Sequence, residues 1–231
     1  MIITKYTLIR FLKKPKSFVA ACIVPVVIMF IPALWDESGN LAGLSLLAFV
    51  IMGSGFVTSQ TLLTDRLEGS LVRVMTAPVT KFRYLFETLM ACTLPILIQL
   101  CFVTLFGFML YGWSLGFGVS LLLLNSLFAF SSVAMSFMWY SFMKSKDNST
   151  AGLSVLVTFM ALLSGMFFPL DVFPVFFQYL GRVFPVYWVV QGYSDLLLGS
   201  SYFTATYLVR IIIVIIFTTL FLFIGSKRMQ L

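Results

Sequence analysis

The run Thr64–Glu87, TDRLEGSLVRVMTAPVTKFRYLFE, is the long polar break in the first two-thirds of an otherwise apolar chain. It holds Asp65, Arg66, Glu68, Arg73, Lys81, Arg83 and Glu87, seven of the chain's 15 basic and 8 acidic residues. Asp65, with Glu68 three residues later, reads as a helix N-cap and its capping-box partner. Leu67, Leu71, Val74 and Met75 then fall at i, i+4, i+7 and i+8, one stripe of a helix, and Arg66 and Arg73 lie on another side. Pro78 disfavours helix at Ala77. The spacing therefore predicts an amphipathic helix over 65–77 inside a connecting loop, 64–87. Two readings fit it: a solvated helix lying among lipid head groups, or a docking helix that fills a groove on a soluble partner.

The chain around this run belongs in a bilayer. Of its 231 residues 61% are hydrophobic and 10% charged, with a mean hydropathy of +1.06. A soluble domain carries about 25% charged residues. A bilayer-crossing helix needs about 20 apolar residues. Six stretches meet that need, at about 18–35, 41–63, 88–111, 117–143, 150–168 and 205–226. The expectation is an all-α membrane protein of six transmembrane helices, a single domain over 1–231. Pro25 and Pro32 predict a kink in the first span. The small residues Gly53, Ser54 and Gly55 suit close helix packing in the second. The first apolar run is long enough to stay in the membrane, so no cleaved signal peptide is expected.

Three segments lie outside the spans. Residues 1–17 carry Lys5, Arg10, Lys13, Lys14 and Lys16. Leu8, Phe11 and Leu12 share one face there, the pattern of a basic interfacial helix. The loop 64–87 is the second segment. The third, 169–204, has short apolar pieces at about 172–183 and 187–198, too short to cross. They predict an interfacial or re-entrant hairpin, covered by protein wherever its backbone is irregular.

Charge sets the orientation. Thirteen of the 15 Lys and Arg residues fall at the two termini and in the 64–87 and 144–149 loops, leaving Arg182 and Arg210 for the other side. Basic residues mark cytoplasmic loops. Both termini and the 64–87 loop are therefore expected in the cytoplasm, with the hairpin outside. The net charge of +7 then reads as topology rather than as a nucleic-acid footprint.

Catalytic chemistry has little to work with. The chain has no histidine, and Cys22, Cys92 and Cys101 lie in apolar stretches without metal-ligand spacing, as small packing residues. No catalytic residue, metal site or chain-bound cofactor is expected. Polar groups at membrane depth are few. Gln60, Gln99 and Asn125 are candidates for a substrate path, with Asn125 also suited to an interhelical hydrogen bond. Arg210 is placed to snorkel outward or to pair with Asp195 or Asp171. Phe168, Pro169, Pro174, Pro185, Tyr187, Trp188 and Arg210 are candidates for an outer gate. The aromatic residues of 169–204 fit equally a lid over an exit path and an ordinary interfacial belt.

The run Asp65-Arg66-Leu67-Glu68-Gly69-Ser70-Leu71, followed by Arg73, Val74, Met75 and Pro78-Val79-Thr80-Lys81, resembles the coupling-helix segment of class-2 ABC exporter permeases. A second stretch, Ser164-Gly165-Met166-Phe167-Phe168-Pro169 with Pro174 and then Pro185-Val186-Tyr187-Trp188, resembles that family's span-five exit and outer hairpin. Two places depart from the family's pattern. Glu87-Thr88 stands where a Gly-Lys pair is common, and Ser194-Asp195 stands near the place of a frequent Arg.

The resemblance implies a permease subunit of an ATP-driven exporter in a bacterial cytoplasmic membrane. The chain has no Walker A pattern. ATP and magnesium would sit on a separate cytosolic ATPase, present in two copies. A second permease, identical or homologous, would complete the transporter. The substrate class expected of so apolar a path is a drug, an antibiotic peptide or a lipid-like molecule. The alternatives are an ion-coupled secondary transporter and a membrane anchor for a soluble partner. The first lacks a mid-membrane carboxylate to carry the coupling ion.

Overall fold

The computed structural model describes residues 24–35, 40–67, 81–143, 145–168, 170–198 and 202–228. All regular structure among the described residues is helical. Helix α1 spans Asn40–Leu67, α2 Lys81–Tyr111, α3 Leu115–Phe142, α4 Lys146–Leu163, α5 Val175–Gly181, α6 Pro185–Leu198 and α7 Ala205–Arg228. Four of these, α1, α2, α3 and α7, are long and apolar enough to cross a membrane. At 1.5 Å per residue the 24 residues of α7 reach about 36 Å, more than the ~30 Å of a hydrocarbon core.

Residues 24–29 are helical, but the first expected span does not run on as a kinked helix to Trp35. Ile31 is extended, and Pro32–Leu34 form a separate 3-10 turn. Pro32 lacks an N–H and bars the α conformation before it, so the helix breaks rather than bends. The fifth span is also shorter than expected. Helix α4 stops at Leu163, and Gly165 takes φ +81°, a left-handed conformation that ends a helix. Phe168 is therefore outside the helix, and the apolar part of α4, Asn148–Leu163, is shorter than the four spans. Gly112, with φ +61°, makes the turn between α2 and α3, and the Ser114 hydroxyl caps α3 by accepting the Phe117 N–H.

Helix α3 is the axle of the bundle. Its residues Ser131–Phe137 are all buried, and it packs against α1, α2, α6 and α7. The contact with α1 depends on small residues. A Cβ at Gly55 would lie 2.2 Å from Ser132 Oγ, and that hydroxyl donates to the Met52 carbonyl at 3.1 Å. Gly53, in the same cluster, faces open space.

One end of the bundle is ringed with aromatic residues. Trp35 lies on Tyr111 and Trp113, Trp113 on Phe117, and Phe117 on Tyr202. The Tyr111 hydroxyl donates to the Met29 carbonyl, and the Ser114 hydroxyl to Tyr202. Such rings mark a membrane–water interface. The other end brings together the last turn of α1, the first turns of α2 and α4, and the C-terminal turns of α3 and α7. Arg228 lies over the Phe142 ring there, and Trp139 donates to the Ser149 carbonyl.

Candidate functional site

Helices α1 and α2 extend into the 64–87 loop from both sides, so less of it is loop than the sequence suggests. Asp65 is not an N-cap: it lies in the last turn of α1, where the Tyr84 phenol at the start of α2 donates to its carboxylate at 3.4 Å. An aspartate followed by glutamate suits a cap by composition, but the helix continues through it because that carboxylate finds a partner across the turn. Arg66 and Leu67 complete α1. Glu68, Gly69, Ser70, Leu71, Arg73, Val74, Met75 and Pro78 fall outside the described residues.

The two helices that carry the segment are tied together. The Cys92 thiol donates to the Thr58 carbonyl at 3.5 Å and lies 3.7 Å from the Thr61 hydroxyl. Cys92 is buried, as a packing residue should be, whereas Cys101 is exposed on the outer face of α2. Arg83 pairs with Glu87 at 3.2 Å, one turn apart on α2. The departure from the family's usual Gly-Lys is thus a carboxylate with its own cation.

Gln60, Gln99 and Asn125 lie on three different helices, α1, α2 and α3, and do not converge on either cavity described below. Asn125 is buried and accepts the Tyr193 hydroxyl at 2.5 Å. That bond ties α6 to α3 ten residues below the start of α3, about 15 Å along its axis. The hairpin helix therefore reaches into the bundle instead of resting on it. Gln99 is buried with its amide nitrogen unpartnered, and Gln60 is half-buried.

The candidate gate residues divide. Pro174 precedes α5, and Pro185 opens α6, buried, with Tyr187 and Trp188 packed edge to face behind it. Trp188 donates its indole N–H to the Arg182 carbonyl at 2.9 Å and so fixes the corner of the hairpin. Phe168 is exposed, and Pro169 lies outside the described residues. Phe176 and Tyr179 are 70% and 59% exposed, so these aromatics of α5 face outward as a belt does.

Arg210, six residues into α7, forms a two-pronged ion pair with Asp195 of α6: its Nε meets Oδ2 and its other nitrogen meets Oδ1 at 3.1 Å. Asp195 thus departs from the family's pattern with its cation supplied by the last span. Gly192, one turn earlier on α6, is small enough to pass Leu124 and the Arg210 stem.

Two cavities of about 310 Å³ border the hairpin. One is apolar and opens sideways between Trp188 and the Ala205, Val209 and Arg210 face of α7. The other is polar and lies between α5, α6 and the start of α1, with Asp171, Gln178, Arg182, Tyr187, Gln191 and Ser194 on its walls.

A bundle of long apolar helices around a buried axle, with a helical hairpin inserted at one end, defines a polytopic helical membrane protein. The chain matches the ABC-2 type transporter family over residues 1–198 and belongs to that family. It therefore carries the membrane domain of an ABC-2 type transporter. It is also 24% identical over 166 residues to the linearmycin resistance permease protein LnrN of Bacillus subtilis. That match covers 72% of this chain and 43% of the relative, so this chain corresponds to less than half of that relative's length.

Proposed function

We propose that the chain is a six-span permease subunit of an ATP-driven exporter. It lies in a bacterial cytoplasmic membrane with both termini in the cytoplasm, beside a second permease. ATP and magnesium sit on two copies of a cytosolic ATPase. The observation that carries this reading is the family match over 1–198, which takes in the 64–87 segment between two long spans. The likeness to a resistance permease supports a drug-like or lipid-like cargo. The apolar character of the bundle favours the same class.

In this reading the segment 65–77 docks on the ATPase through Leu67, Leu71, Val74 and Met75, with Arg66 and Arg73 orienting the contact. ATP binding draws the two ATPases together and pushes the segment. Helices α1 and α2 are joined through Cys92, Thr58 and Thr61, so they tilt as a pair. The permease dimer then exchanges its inward opening for an outward one. Asp65 and Tyr84 hold the two helix ends that receive the push.

The test is ATP-dependent uptake into inverted vesicles holding the full complex. Leu71→Asp is expected to abolish uptake while ATP hydrolysis persists, because a buried charge breaks the docking contact. Uptake at the wild-type rate in Leu71→Asp would remove 65–77 as the coupling element.

A further inference from the structure

The polar cavity beside the hairpin has walls unlike the rest of the bundle. Gln178 lies on α5 and Arg182 is the residue that caps its C-terminus, and Tyr187, Gln191 and Ser194 follow one stripe of α6. Asp171 closes the wall from the 3-10 turn Leu170–Val172. Opposite charges therefore border one cavity. Neither Asp171 nor Arg182 forms an ion pair among the described residues, and Arg182 instead lies 4.7 Å over the Tyr179 ring. The Gln178 amide nitrogen is committed to the Phe173 carbonyl, which leaves the amide oxygen as an acceptor.

Depth and size narrow the ligand. The cavity is also lined by Gly165, Leu170, Val190 and, at the start of α1, Leu41. Two residues further on, Gly43 packs under Leu34 and Trp35, and Trp35 belongs to the aromatic ring at this end of the bundle. The cavity therefore sits where lipid head groups lie. Its volume of about 310 Å³ equals roughly ten waters at ~30 Å³ each. That is room for a small polar head, not for a whole lipid.

We infer that this cavity binds the phosphoethanolamine head group of a membrane phospholipid. The ammonium donates to the Asp171 carboxylate and the Gln178 oxygen, and the phosphate accepts from Arg182. A choline head has no N–H to offer, and a glycerol head has no cation for Asp171. The inference goes beyond the transport reading and does not depend on the cargo.

The test is native mass spectrometry of the purified full chain in detergent. The probes are dihexanoyl phosphatidylethanolamine, phosphatidylcholine and phosphatidylglycerol. Charged hydrogen bonds of this kind predict about tenfold tighter binding of the ethanolamine lipid. Asp171→Asn is expected to erase that preference, and Arg182→Gln to weaken all three lipids by about the same factor. Both residues are exposed, so the variants should melt at the wild-type temperature, which the same samples report. Equal binding of the three lipids by the wild-type chain would overturn the inference, as would a preference that survives Asp171→Asn.

Discussion

Gly55→Ala tests the contact that sets α1 against the axle. The added methyl would meet Ser132 Oγ at 2.2 Å, Ser132 Cβ at 3.0 Å and the Val133 nitrogen at 3.3 Å. Favourable contact needs about 3.5–4.0 Å. The hydroxyl can swing aside, but it then gives up its bond to the Met52 carbonyl, a loss of about 0.6 kcal/mol for an interhelical bond in a membrane. The Cβ and the backbone nitrogen cannot swing, and the helices must part by several tenths of an ångström. Overpacking of that kind costs about 1–3 kcal/mol. The expected total is about 2 kcal/mol, or close to thirtyfold in the unfolding equilibrium. Ser132→Ala removes the worst clash, so the double variant should cost less than the sum of its parts. The assay is reversible unfolding in mixed micelles, read by circular dichroism, on the four members of the cycle. A Gly55→Ala cost near zero, or strict additivity with Ser132→Ala, would refute the close approach of α1 and α3.

Three further outcomes follow from the same structure. Tyr193→Phe strands the buried Asn125 and should destabilise the chain by about 1 kcal/mol, with Asn125→Leu in the same background adding little. Asp195→Leu leaves Arg210 uncompensated; because the pair is only partly screened, the cost should be about 2 kcal/mol. Exchanging the two charges, Asp195→Arg with Arg210→Asp, should restore most of it, measured by the same unfolding assay. Gly181→Ala would place a methyl 2.2 Å from the Leu163 carbonyl. It should loosen the hairpin from α4 and raise protease sensitivity between the two without altering the four long spans.

The four long spans were plain from composition, because each is more than 20 residues long, predominantly apolar and poor in charges. The two short apolar pieces of the hairpin were expected at about 172–183 and 187–198, and the helices there run Val175–Gly181 and Pro185–Leu198, each starting at or just after a proline. Boundaries set by conformation were harder. Gly165 ends α4 by adopting a positive φ, and nothing in a glycine codon announces whether it will do so. Asp65 has the composition of a cap, yet its partner is Tyr84, 19 residues away, so only the tertiary contact decides. Long-range partners were legible only by type. Arg210 was placed to snorkel outward or to pair with Asp195 or Asp171; the fold selects Asp195. Asn125 needed a hydrogen bond, and Tyr193 supplies it from 68 residues away. Among three clustered small residues, the contact belongs to Gly55 and not Gly53, a matter of which side of α1 faces α3.

Docking of a separate ATPase on residues 65–77 is the step on which the proposed function turns. The most direct measurement is affinity capture of the chain from crosslinked native membranes, with the eluate assayed for ATP hydrolysis. A cytosolic ATPase is expected to co-purify, with its capture and activity both lost when Leu71 and Val74 are changed to Asp. Capture of the same ATPase, at the same yield, by the doubly substituted chain would contradict it.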